Sequence, residues 1–149
     1  MTETPVSSAA KLYTPRMLML SAKLADYPLD ASFPLRASAR SQTCGSTIEL
    51  GLATDGDGFV STIGMQVTAC AVGQSSAAIL ADAIKGVDLQ CLVSTRTQIE
   101  NWLDSNGGAP TWPGFETLLP VREYPGRHGA LVLPWNAAIE ALSSHASTS

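Results

Sequence analysis

The sequence predicts an α+β fold, a small antiparallel β-sheet of about three strands with helices packed on one face, within a single domain. Three observations carry this expectation. The stretches "TIELGLAT" and "FVSTIGMQV" alternate apolar and polar residues: Ile48, Leu50 and Leu52 in the first, Ile63, Met65 and Val67 in the second. Between them stands "DGDG", whose Asp and Gly residues supply the positive-φ positions of a tight reversal, so 47–67 reads as a hairpin with one buried face. After Cys70 the chain turns rich in Ala, Leu and Ile, and it meets Gly86 where a helix end is expected.

The other elements follow in chain order. Thr14 before Pro15 has the form of an N-cap with proline at the first helical position, opening a Met- and Leu-rich helix that ends near Ala25. The segment from Asp26 to Pro34, rich in aspartate and proline, suits an irregular wrapped connection. "LRASARS" before Cys44 adds a third strand on a weaker pattern. Leu89, Leu92, Val93, Ile99 and Leu103 recur at helical spacing until "SNGGAP" ends that helix. Proline-rich "TWPGFETLLPVREYPGRHG" allows at most a short helix around 115–119, and "PWNAAIEALSS" reads as a final helix opening at Pro134. Residues 1–10 and 144–149 are expected to be disordered, flanking one domain over 11–143.

A chain of 149 residues buries enough surface to fold without disulfide staples. With 13 acidic and 9 basic side chains the net charge is −4, and no Lys/Arg stripe stands out, so neither a nucleic acid nor an anionic membrane is an expected partner. No apolar run approaches a membrane span, and the start "MTETPVSSAAKLYTPRMLML" lacks the basic region and apolar core of a signal peptide, so the expected location is cytoplasmic.

Three cysteines in a reducing compartment direct attention to metal binding or thiol reactivity rather than to a disulfide framework. Cys44, in "TCGST", stands at the mouth of the hairpin, and Cys70 follows the returning strand, so both belong to the same hairpin end. A helix start favours a thiolate, the form that binds metal or attacks sulfur. The two cysteines are therefore either a functional pair or two packed thiols. Two ligands do not complete a tetrahedral site. Cys91 lies opposite the apolar stripe of its helix and reads as structural. His145 belongs to the polar tail. His128, in a Gly-flanked stretch, is the available loop imidazole. Asp55 and Asp57 are accounted for by turn chemistry at the far end of the hairpin.

"TCGSTIELGL", "ACAVGQSSAAILADAIKG" and "VREYPGRHGALVLPWNAAIEAL" resemble the iron–sulfur cluster scaffold proteins of the IscU/NifU type, especially the SufU branch, over about residues 36–142. That family reads Cys-Gly-Asp in the first motif and Gly-Cys-Ala-Ile-Ser entering a helix in the second. In the third, a cysteine follows an arginine and precedes Leu-x-Trp. The stretch from Asp104 to Gly126 looks like the insertion of the SufU branch.

The resemblance implies a SufE/NifU-like fold, with Cys44 and Cys70 as ligand cysteines and Cys70 as sulfur acceptor. It puts Ser46 at the ligand aspartate and Ala130 at the third cysteine. His128, two residues before that position, would project to the same side as Ala130 in an extended segment and so join Cys44 and Cys70 in a diminished metal site. The implied cargo is a transient iron–sulfur cluster or zinc, and the implied partners are a cysteine desulfurase and downstream iron–sulfur proteins. The function expected is a divergent assembly scaffold, a carrier rather than an enzyme, binding iron or zinc or accepting sulfur at a cysteine pocket. Two alternatives stand beside it: a zinc-dependent SufU-like sulfur acceptor, and an interaction protein that kept the fold and lost the metal site.

Overall fold

Alternating residues set the sheet register. The computed structural model describes residues 14–42 and 45–148, with side chains described through Ser144. Strands β1 (Leu35–Arg40), β2 (Thr47–Thr54) and β3 (Val60–Thr68) form one antiparallel sheet in that order. Ile48 pairs with Val67, Leu50 with Met65 and Leu52 with Ile63. On the other side of β2 the partners are Ala39, Ala37 and Leu35. One face of all three strands is thus apolar, as the period-2 pattern requires. Around the reversal, the Asp55 carboxylate accepts from the Asp57 and Phe59 N–H groups, and Gly58 takes the left-handed conformation.

Helix α1 (Pro15–Ala22) starts at Thr14, whose hydroxyl accepts from the Met17 N–H at 3.1 Å. Beyond a 3₁₀ turn at Lys23–Asp26, the wrapped segment crosses the polar face of the sheet. Phe33 lies over the paired Gly51 and Gly64, where a Cβ on Gly51 would come within 2.6 Å of the Phe33 Cβ. The Met65 N–H donates to the Tyr27 carbonyl, so this segment also lines the β3 edge.

Helix α2 (Ala71–Ala83) is buried over most of its length, and α3 (Leu89–Leu103) is capped by the Asp88 carboxylate on the Cys91 N–H. The buried stripe of α3 is Leu92, Thr95, Ile99 and Trp102; Val93, placed in the stripe by spacing, is 37% exposed instead. Cys91 is exposed in the first turn of α3 and lies about 60° around the axis from the centre of that stripe, at its border rather than opposite it as the spacing predicts. Residues 115–123 wind as a 3₁₀ helix that buries Phe115, Leu118 and Val121, a spacing of three that matches three residues per turn.

The last helix, α4 (His128–Thr148), opens six residues earlier than Pro134 predicts and continues into the segment read as a tail. Pro134 is internal, which costs one helical hydrogen bond and normally kinks or breaks a helix. Distant contacts hold the helix together here. The Leu131 carbonyl accepts from the Ser76 hydroxyl at 2.6 Å, and the Trp135 indole N–H donates to the same hydroxyl at 3.3 Å. α4 packs across β1 and β2, flanked by α2 and α3, with α1 outside α2, so the helices form one layer on the apolar face. Trp135 is fully buried and meets Trp112 edge to face at 4.7 Å between ring centroids, a geometry favoured by the ring quadrupoles. The first ten residues and the side chain of His145 lie outside the described residues.

Candidate functional site

Cys70 stands where β3 ends and α2 begins. It is the N-cap residue, with an extended backbone (φ −69°, ψ 176°) and no hydrogen bond from its side chain to the helix. The first turn closes through the Gln74 N–H on the Cys70 carbonyl at 3.0 Å, and the Gln74 side-chain amide donates to the Ala69 carbonyl at 3.1 Å. The thiol is free and half-buried, packed on one side against the core. This combination puts a partly exposed cysteine at a helix N-terminus, where unpaired N–H groups and the helix dipole meet incoming negative charge.

Cys44 lies outside the described residues. Around it, the Ser41 N–H donates to the Ser46 carbonyl at 2.8 Å and the Gly45 N–H to the Ser41 carbonyl at 3.1 Å, with Gly45 at φ +73°. This turn joins Arg40 to Thr47, and Thr47 pairs with Thr68, two residues before Cys70. Gly45 and Cys70 therefore share one end of the sheet. Ser46 is buried, 5% exposed.

His128 corrects the expectation drawn from an extended segment. It is the first residue of α4, so residues 128 and 130 are about 200° apart around the axis and do not project to one side. Its ring Nε2 lies 2.9 Å from the Arg122 carbonyl, which accepts. That contact makes Nε2 the protonated nitrogen of a neutral ring and leaves Nδ1 as the lone-pair nitrogen. Ala130 is fully buried, and its methyl lies 3.6 Å from the place a Cβ on Gly73 would occupy. The roles of Arg122 and Gly73 were not legible in the sequence; for Gly73 the available signal was a glycine three residues into a helix. A cavity of about 260 Å³ lies elsewhere, between α1, α2 and the 3₁₀ segment, lined by Met19, Leu20, Ile79 and Thr117 among others.

No family model and no curated protein matches this sequence. Solved structures do. A nitrogen-fixing NifU-like protein (N-terminal) from Brucella abortus superposes with a TM-score of 0.86 at 27% identity, covering 96% of this chain and 100% of its own. The chain has the IscU/NifU-type scaffold fold. A putative iron–sulfur cluster assembly scaffold protein for the SUF system from thermophilic Fervidobacterium islandicum AW-1 shares it with a TM-score of 0.77. Its identity is 20%, over 89% of this chain and 97% of that one, and at that identity the likeness is one of fold.

On the NifU-like frame, the side chains of this chain do not fit a four-ligand site built from its own residues. At the position where the resemblance expects a third cysteine, Ala130 offers no donor, and its methyl is buried in packing. Ser46 offers a neutral hydroxyl, a weak ligand for soft metals. Among the described residues, no group of three or more Cys, His, Asp or Glu side chains is placed to hold a metal ion. No helix among the described residues is long and apolar enough to cross a membrane.

Proposed function

We propose that the chain is a divergent iron–sulfur cluster assembly protein that receives sulfur or metal at a cysteine pocket and hands it on, with Cys70 as the accepting thiol and Cys44 as its neighbour. The observation that carries the reading is the free, half-buried Cys70 thiol at the N-cap of α2, on a fold shared with a NifU-like domain. Cargo is sulfur, iron or a nascent cluster held briefly. His128, offering Nδ1, is the remaining nitrogen donor of the proposed pocket. The partners are a cysteine desulfurase and the iron–sulfur proteins that take the cargo onward, and the setting is the cytoplasm.

Sulfur acceptance needs no oxidant. The Cys70 thiolate attacks the terminal sulfur of a persulfide on the desulfurase. One S–S bond forms as the other breaks, and the desulfurase cysteine leaves as a thiolate that takes up the proton given up by Cys70. A zinc-linked version of this step, in which the metal holds the accepting thiolate, is weakened by Ala130 and Ser46. Those same two residues favour a second reading, an interaction protein that keeps the scaffold surface without metal chemistry. Incubation with a desulfurase and cysteine, followed by intact-mass and peptide analysis, separates the readings. Sulfur on Cys70 supports acceptance, whereas binding to the desulfurase that persists without any sulfur transfer supports the second.

A further inference from the structure

One face of helix α1 lines a slot. Arg16, Met19 and Leu20 of α1 and its C-cap Lys23, spaced i, i+3, i+4 and i+7, border the cavity of about 260 Å³ together with Ile79 of α2 and Thr117 of the 3₁₀ segment. The floor is apolar, with Ile79 buried and Leu20 half-buried. Met19, 69% exposed, is an adaptable side chain at the mouth. Each end carries an ion pair: Arg16 meets Glu116 at 3.0 Å, and Lys23 meets Asp82 at 2.7 Å. From Arg16 to Lys23 the helix rises about 10.5 Å, close to the length of an extended eight-carbon chain. The two cations are held unequally. Asp82 also accepts from the Tyr27 hydroxyl, whereas the Arg16 and Glu116 side chains are 63% and 57% exposed. An exposed pair of that kind contributes little, and a guanidinium has five N–H donors, so Arg16 can take a second carboxylate. Thr117 follows Glu116 in the chain and so stands at the Arg16 end. Its hydroxyl is buried and makes no hydrogen bond among the described residues, a state that calls for a further partner.

We infer that the slot binds an aliphatic monocarboxylate of about eight carbons, its carboxylate between Arg16 and the Thr117 hydroxyl and its chain over Leu20 and Ile79. The volume lies below the roughly 300–1,000 Å³ of pockets for drug-sized ligands, which suits so small a molecule. A bound acid bridges α1, α2 and the 3₁₀ segment and stabilises the fold by linkage. The inference stands apart from the role proposed for Cys70.

The test is titration of the full chain with sodium octanoate, followed by calorimetry and by amide NMR. One molecule should bind with a dissociation constant below about 1 mM, shifting the signals of Leu20, Ile79 and Thr117. Octanol has the chain without the charge and acetate the charge without the chain, so each should bind at least about tenfold more weakly. Arg16→Gln and Thr117→Val should each weaken octanoate about tenfold. Without ligand, Thr117→Val should unfold at or above the wild-type midpoint, because it removes a buried hydroxyl that has no partner among the described residues. The inference is overturned by octanoate binding that does not saturate, by shifts confined to residues away from the slot, or by octanol binding as tightly as octanoate. Unchanged affinity in both variants also overturns it. The wild-type titration and its map of shifts decide the matter whether or not a variant folds.

Discussion

Gly73 shows how a single missing side chain shapes the site. Alanine is worth about 1 kcal/mol more than glycine in a helix interior. At 73 that gain is outweighed, because the new Cβ would meet the Ala69 Cβ at 2.7 Å and push on Ala130. Overpacking of this kind costs about 1–3 kcal/mol, so Gly73→Ala should lower stability by about 1–2 kcal/mol in denaturant unfolding. A neutral or stabilising result would show that the seam can relax. Ser76 is a second such point, since its hydroxyl both donates to the Leu131 carbonyl and accepts from the Trp135 indole. Ser76→Ala leaves the buried Trp135 indole N–H without its partner and takes one hydrogen bond from the Leu131 carbonyl, and thermal unfolding should report a loss of about 1–3 kcal/mol. Neither role can be read from the sequence. A serine in an alanine-rich helix gives no hint that it serves a backbone group 55 residues away.

At the scale of elements, the wrapped segment after α1 is tied down by charge as well as by packing. The Asp82 carboxylate of α2 accepts from the Tyr27 hydroxyl at 2.5 Å and from the Lys23 ammonium at 2.7 Å. Burial, followed by the hydrogen bond to Asp82, pushes the Tyr27 phenol up to about 12, and the Asp82 contact raises Lys23 as well. For a phenol raised in the folded state, the stability contribution is complete below the unfolded value near 10. It is lost as pH climbs through the folded value. Ultraviolet titration should therefore show one tyrosine ionising late, and Asp82→Asn should bring it down toward the others. A Tyr27 that titrates normally in the wild type would contradict the clamp. The element borders follow the same division between local and distant causes. The hairpin, the Thr14 cap and the Gly86 stop were legible because each is decided within a few residues. The start of α4 was not, because Pro134 argues locally for a break while its helix is held by α2.

Across the whole molecule, the sheet with its single helical layer was readable from period and turn chemistry, and the motifs around Cys44, Cys70 and Trp135 pointed to the scaffold fold that the NifU-like structure shares. The state of the site was legible only in part. The resemblance implied substituted ligand positions at Ser46 and Ala130, but the burial of Ala130 against Gly73 and the helical backbone of His128 arise from packing between α2, α4 and the 3₁₀ segment. The account as a whole places the half-buried Cys70 thiol at the start of α2 on a NifU-like fold, and the function proposed for it is to receive sulfur from another protein. The most direct measurement mixes the reduced full chain with a cysteine desulfurase and cysteine, then maps added sulfur by peptide mass. Wild-type protein should carry one extra sulfur on Cys70, and Cys70→Ala, folded to the same unfolding midpoint, should carry none there or elsewhere above background. A wild-type Cys70 that stays unmodified, or a Cys70→Ala chain that accepts sulfur as well as the wild type, would contradict it.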